Sequence, residues 1–165
     1  RLVGAGQHER ELLAAEARRH VAVAGGRAQH LREAAEDLAA GVVAQRVASM
    51  LVANKTTRLT ATAEEAEAVL KLGQEERSKI ILSLSGAGRV TEYRLSLKLT
   101  YSVSGKDGRV WAAAETIELS RDMTYDDTLL LAKGAEEQLL QRDMEDNAAL
   151  RIMRRLQSIS PGNGH

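Results

Sequence analysis

The stretch YRLSLKLTYSV, residues 93–103, decides the fold of this chain. Apolar or aromatic residues occupy every odd position from Tyr93 to Val103, and polar residues occupy every even position from Arg94 to Ser102. A repeat of two places successive side chains on opposite faces of a β-strand, whereas a helix requires a repeat of 3.6. The pattern therefore predicts a long strand with one buried face and one face in water.

Glycine-containing turns flank this strand and join it to further strands. Gly86–Gly88 precedes it and Gly105–Gly108 follows it, and each turn is short enough for a hairpin. The further candidate strands are Val69–Leu72, Ser78–Ser85 and Val110–Leu119. In the second of these, alternation places Ile80, Leu82 and Leu84 on one face. We therefore expect an antiparallel sheet of three to four strands.

A helical pattern follows the last strand. Hydroxyl and acidic residues at Thr124–Asp127 are typical of a helix N-terminus, where they accept hydrogen bonds from free backbone N–H groups. Apolar residues then recur at helical spacing, namely Leu131, Ala135, Leu139, Ala149, Ile152, Met153 and Leu156. A helix of roughly thirty residues is ~45 Å long. It must lie across the sheet to bury this stripe, and we expect it to overhang one edge.

The first fifty residues differ in composition from the rest. They contain no Lys, Thr, Pro or aromatic residue. Runs at Glu9–Val23 and Arg27–Val52 predict helices, separated by Gly25-Gly26. The alternative is that the first 45 or so residues are foreign to the domain.

These patterns define a fold class and three segments. The fold class is α+β, an antiparallel sheet of three to four strands with two helices packed on one face, plus a helical N-terminal extension. A short capped turn at Thr60–Ala68 is also expected. The segments are an N-terminal part at 1–50, an α/β domain at 51–159 and a disordered tail at 160–165.

Composition excludes several classes of function. The 165 residues carry 23 basic and 23 acidic side chains, so a strong overall attraction to nucleic acid is not expected. The absence of Cys excludes disulfides, thiolate metal sites and lipidation of a Cys on this polypeptide. No apolar run approaches the ~20 residues needed to span a bilayer.

Catalytic motifs are also missing. Asp126 and Asp127 are placed to cap a helix, no G-x-S-x-G sequence occurs, and Gly86–Gly88 is not followed by a helix as a phosphate-binding loop would be. The histidines of the first fifty residues are not spaced to share one helical turn. We therefore predict no enzymatic activity, no cofactor and no metal site.

Several pieces of the chain, in order, resemble the LptE family of Gram-negative bacteria. They are SKIILSLSG at 78–86, TEYRL at 91–95, SRDMTYDD at 120–127 with LAK at 131–133, EEQLL at 136–140 with DM at 143–144, and IMRRL at 152–156. The resemblance covers about residues 51–159. It rests on the order and spacing of the pieces as well as on their identity.

The resemblance implies a lipoprotein of the cell outer membrane, facing the periplasm. It implies a component of lipopolysaccharide transport that plugs the LptD β-barrel, helps to assemble it and contacts lipopolysaccharide. Members of the family begin with a lipidated Cys and a first strand, and neither is evident here. The sheet is therefore expected to lack an edge strand and the chain to lack the lipid anchor. The alternative is a generic soluble α/β protein-interaction module without a role in lipopolysaccharide transport.

Four basic residues are candidates for lipopolysaccharide binding. By resemblance, Lys133 aligns with a family lysine implicated in this binding, and Arg89 lies in a turn where the family often carries a basic residue. Lys79 and Arg94 extend the patch. An ammonium ion pairs with a lipid A phosphate as a hydrated point charge. The alternative for each residue is an ordinary solvated side chain.

Overall fold

The computed structural model describes residues 19–25, 41–53, 57–59 and 66–159. The elements in chain order are β1 Arg19–Gly25, α1 Val42–Ala53, β2 Thr57–Leu59, β3 Ala68–Leu72, β4 Glu76–Leu84, β5 Val90–Gly105, β6 Val110–Thr124 and α2 Leu130–Ser158. A single 3₁₀ turn at Asp127–Leu129 leads into α2.

Strand β5 is the centre of the sheet. Along one side it pairs with β6 over almost its whole length, and along the other side it pairs with β4 and then with β3. Strands β3 and β4 follow one another along this side, and the Gly73 N–H donates to the Thr100 carbonyl (2.7 Å) between them. These four strands are antiparallel, whereas β1 is parallel to β3 and β2 is parallel to β1.

The α+β class is confirmed: the four antiparallel strands β3–β6 form the main part of a six-stranded sheet, and two helices pack on it. The core is aliphatic and lies between the helices and one face of the sheet. Strand β5 contributes every odd residue from Leu95 to Val103, and α1 contributes Val43, Val47 and Leu51. The even residues of β5 lie on the outer face of the sheet, as the alternation predicted.

The prediction of a helix at Glu9–Val23 is wrong from Arg19 onward, because this part forms β1. The Ala- and Arg-rich composition favours a helix locally, but Val21 and Val23 suit a strand, and pairing with β3 supplies hydrogen bonds that its edge would otherwise lack. The expectation that the sheet lacks this strand is therefore also wrong.

Several other predictions lie partly or wholly outside the described residues. Of the run at Arg27–Val52, the described part is helical from Val42, and α1 ends at Ala53. Most of the turn predicted at Thr60–Ala68 lies outside the described residues, and Ala68 is the first residue of β3. The N-terminal residues 1–18 and the tail at 160–165 are also outside the described ranges.

Only the second half of α2 is buried, which corrects part of the predicted apolar stripe. From Met144 onward the buried apolar residues are Met144, Ala148, Ala149, Ile152, Met153 and Leu156. In the first half, Leu131 is 91% exposed and Leu139 is 64% exposed, and Ala135 is exposed as well. Helical spacing shows which residues share a face, but the sheet does not cover that face before Met144.

Strand β4 differs from its prediction in a related way. Ile80 lies opposite Arg94 on the outer face, and Leu82 and Leu84 are exposed beside two register shifts that interrupt the alternation. The side of β4 that faces α2 carries Arg77 and Lys79 instead, opposite the buried Leu97 and Leu95.

A hydrogen-bonded group fastens the C-terminal part of α2 to the sheet. The Tyr101 hydroxyl donates to Glu115 Oε2 (2.7 Å), and Arg155 Nε donates to Glu115 Oε1 (3.0 Å). Burial, together with the hydrogen bond to Glu115 and its negative charge, raises the pKa of Tyr101 to about 12.

The uneven burial of α2 is tested by two substitutions of the same kind. Ile152→Ala removes a fully buried side chain and should lower the free energy of unfolding by about 3 kcal/mol. Leu139→Ala removes an exposed side chain from the same helix and should change it by less than about 0.5 kcal/mol. Urea denaturation measures both values, and similar losses at the two positions would contradict the structure.

The raised pKa of Tyr101 predicts a loss of stability in alkali. The folded pKa of about 12 exceeds the unfolded value of about 10. The stabilisation that comes from the neutral Tyr101 hydroxyl is therefore complete below about pH 10 and is lost as the pH rises through 12. The difference in unfolding free energy between the parent chain and Tyr101→Phe should shrink over this range. A difference that stays constant from pH 8 to about pH 12 would contradict the assignment.

Candidate functional site

The residues proposed for ligand binding gather mainly at one end of the molecule, which we call the hairpin end. It consists of β4 from Lys79 onward, the β4–β5 turn at 85–89, the start of β5, the last residues of β6, and residues 125–137. The Tyr125 N–H donates to the Thr91 carbonyl (2.8 Å), which fixes the chain after β6 against the start of β5. Lys79 Nζ lies 2.6 Å from Glu137 Oε2, which links β4 to α2.

Local hydrogen bonds shape the two loops of the hairpin end. In the β4–β5 turn, the Gly88 N–H donates to the Ser85 carbonyl (2.9 Å), and Gly88 has a φ of 76°, which favours glycine. Before α2, the Asp126 carboxylate accepts hydrogen bonds from the Thr128 hydroxyl and N–H. These two bonds lower the pKa of Asp126, so the capping role predicted for this acid is confirmed.

Lys133 lies between the start of α2 and the end of β6. Its Nζ donates to Glu136 Oε2 (2.8 Å) and to the Thr124 hydroxyl (3.1 Å). The Lys133 side chain is only 14% exposed. It is therefore not a freely solvated lysine, because its ammonium group has defined partners and a defined position.

Lys79 is held by an acid and an aromatic ring. Besides its bond to Glu137, its Nζ lies 4.4 Å from the centroid of the Tyr93 ring. The Tyr93 ring in turn meets Tyr125 edge-on, with centroids 5.1 Å apart. A cation over the face of an aromatic ring is electrostatically stabilised. The tyrosines thus form a platform beneath the ammonium group of Lys79.

Arg89 is the most accessible cation of the hairpin end. Its side chain is 74% exposed, and its Nη1 lies 3.8 Å from Asp127 Oδ2, which is longer than a hydrogen bond. The guanidinium group is therefore only loosely paired.

Arg94 lies on the face of the sheet opposite to that of Lys79. It lies on the outer face and makes a two-point contact with Asp122, at 2.7 Å through Nε and 2.8 Å through Nη2. The hydrogen bond from Arg94 lowers the pKa of the Asp122 carboxyl group. The structure thus brings Lys79, Arg89 and Lys133 together at one end and places Arg94 elsewhere.

The sequence did not identify the acids that pair with these cations. Glu136 follows Lys133 by three positions, which is a recognisable signal for an ion pair on a helix. Glu137 pairs with Lys79 across 58 positions, so no local pattern predicts it. The aromatic platform was likewise missed, because alternation assigned Tyr93 to the core.

Exposed apolar side chains occur on the same elements as the cations. They are Ile81, Leu82 and Leu84 near the end of β4, and Leu129, Leu130 and Leu131 at the start of α2. Large exposed apolar groups that cluster together are typical of binding surfaces. The hairpin end combines apolar side chains with cations, which suits a ligand that has both apolar and anionic parts.

A chain of charged residues fixes β4 and α2 behind the hairpin end. Glu75 accepts hydrogen bonds from the Val43 N–H at the start of α1 (2.7 Å) and from Arg77 (2.6 Å). Arg77 also contacts the buried Glu145 of α2 (3.2 Å), which accepts from Arg46 (3.2 Å). Glu145 is buried, and a buried charge persists when it is paired.

Two other kinds of feature are absent from the part of the chain that the structure describes. Within ranges 41–53 and 66–159, no three His, Asp or Glu side chains are grouped so as to hold a metal ion. Neither described helix has the length and hydropathy needed to cross a bilayer.

Comparisons with known proteins agree on one family. A family model described as "LptE: Lipopolysaccharide-assembly" matches residues 43–156. The LPS-assembly lipoprotein LptE of Photorhabdus laumondii is 29% identical over 120 residues, which cover 72% of this chain and 64% of that protein. This chain thus spans less than two-thirds of the length of that relative.

Two solved structures share the fold. The uncharacterized lipoprotein B of Nitrosomonas europaea has a TM-score of 0.69 and 26% identity, over 84% of this chain and 81% of that one. The rare lipoprotein B of Shewanella oneidensis has a TM-score of 0.67 and 25% identity, over 84% of this chain and 94% of that one. The family match includes α1 and extends to the end of the buried stripe of α2. The chain belongs to the LptE family of lipopolysaccharide-assembly proteins.

Proposed function

We propose that this chain is a non-enzymatic component of the complex that transports lipopolysaccharide to the outer membrane and assembles it there. Membership of the LptE family and the named function of the Photorhabdus relative support this role. In this proposal the chain acts at the periplasmic face of the outer membrane, plugs the LptD barrel and helps it to assemble, and contacts lipopolysaccharide.

The observation that carries the lipopolysaccharide contact is the gathering of Lys79, Arg89 and Lys133 beside exposed leucines. Lipopolysaccharide carries phosphates and acyl chains on one molecule. The ammonium groups pair with phosphate oxygens, and Leu129–Leu131 lie against the acyl chains. Arg94 lies on the outer face of the sheet and is paired with Asp122. It is therefore not part of this site, and its role in lipopolysaccharide binding stays a prediction.

The exposed apolar residues also support a protein partner. Ile80 is exposed on the outer face of β4, and Leu139 is exposed on α2 ahead of the buried stripe. Exposed large apolar side chains are energetically unfavourable in water and are typical of surfaces that a partner covers. The inner wall of the LptD barrel is the partner that the family assignment favours.

Two measurements test the proposed function. After co-expression with LptD, the chain should co-purify with the folded barrel from detergent-solubilised outer membrane. Lys133→Ala should weaken binding of purified lipopolysaccharide about tenfold, because it removes a charged hydrogen-bond donor. Lys98→Ala is the matched control, since Lys98 is exposed on the outer face of the sheet.

The control should bind lipopolysaccharide as the parent chain does. Failure to co-purify with a folded barrel would contradict the proposed partnership with LptD. Equal binding by the parent chain and by Lys133→Ala would contradict the proposed ligand site.

A further inference from the structure

We propose that Glu136 and Glu137 are autoinhibitory. In the free protein their carboxylates hold the two ammonium groups that a phosphorylated ligand requires, so ligand phosphate must displace them. This inference rests on the proposed function, because it concerns how the same site is regulated. The ligand class is a phosphate-bearing amphiphile.

The first observation is that both lysines are already engaged. Lys133 Nζ lies 2.8 Å from Glu136 and Lys79 Nζ lies 2.6 Å from Glu137, so each distance is that of a direct charged hydrogen bond. The Lys133 side chain is also largely covered. An incoming phosphate therefore meets ammonium groups whose strongest interactions are with the protein itself.

The second observation is that the two acids are neighbours on one turn of α2. A carboxylate and a phosphate offer the same kind of acceptor, an anionic oxygen, to an N–H donor. The acids thus occupy the positions from which phosphate oxygens would bind. Rotation of the two glutamate side chains about their own bonds is enough to release both lysines, and the helix backbone stays in place.

The third observation is that displacing the two carboxylates does not disturb the core. The buried stripe of α2 begins at Met144, beyond both glutamates. Glu136 is about half exposed and Glu137 is partly exposed, so water can solvate either carboxylate after displacement. Because both carboxylates keep access to water, water and ligand can compete with these ion pairs. The inhibition is therefore modest and reversible by ligand.

An ordinary fastening role for these ion pairs makes a different prediction. If Glu136 and Glu137 only hold α2 in place, neutralising them leaves ligand affinity unchanged or lowers it, because the lysines lose their fixed positions. If the glutamates compete with the ligand, neutralising them raises affinity.

The test compares lipopolysaccharide binding by the full chain and by E136Q/E137Q. Purified lipopolysaccharide and the same material after enzymatic dephosphorylation are the probes. The variant should bind the phosphorylated form about five- to tenfold more tightly, since two weak ion pairs no longer compete. Its affinity for the dephosphorylated form should not change. E136A/E137A, which leaves no amide oxygen to accept from the lysines, should show at least the same gain.

The matched control is E76Q/E118Q. Both acids are exposed on the outer face, where each lies opposite Lys98 on a neighbouring strand, and the change in net charge is the same. This control should gain less than about twofold, and thermal unfolding should show that all variants remain folded.

The outcomes separate this inference from the proposed function. If the parent chain binds lipopolysaccharide and E136Q/E137Q binds it equally or more weakly, the autoinhibitory role is overturned while the proposed function stands. An equal gain in the control also overturns it, since the effect is then one of overall charge. If neither the parent chain nor any variant binds, the proposed lipopolysaccharide contact itself fails.

Discussion

Helix α2 is longer than the apolar surface available to cover it, and the other features of the molecule depend on this mismatch. The helix spans 29 residues, but its buried stripe begins only at Met144. Before Met144, α2 faces the polar side chains of β4 in place of aliphatic ones. The first half of α2 is therefore attached mainly by charge, through Lys79–Glu137 and Arg121–Asp143, both at 2.6 Å.

The two ends of the molecule therefore differ in composition and in how much they contribute to stability. The aliphatic end, where β3, β5 and α1 pack on the second half of α2, supplies most of the stability through apolar burial. The hairpin end contains the ion-paired cations, the aromatic platform and the exposed leucines, and apolar burial contributes less to stability there. Ion pairs that water can reach are weak, so under the proposed function a ligand competes for Lys79 and Lys133.

Sequence patterns correctly predicted the features that depend on residues close together in the chain. The alternation from Tyr93 to Val103 gave the orientation of β5 correctly, because the two faces of that strand meet different surroundings. Strand β1 was missed because its parallel pairing with β3 is non-local and its composition favours a helix. Leu131 and Leu139 were assigned to a buried stripe because spacing defines a face and cannot show whether a neighbour covers it. The Lys133–Glu136 ion pair can be predicted from its spacing of three positions, whereas the Lys79–Glu137 pair forms only through the tertiary fold.

The central claim, that charge rather than apolar packing holds the first half of α2, is tested most directly by hydrogen exchange of its backbone amides. The structure predicts that amides of residues 130–143 exchange faster than those of residues 144–156. Raising the salt concentration should accelerate the first group, because salt screens exposed ion pairs, and should leave the second group protected. Equal protection of both halves at low and at high salt would contradict the claim.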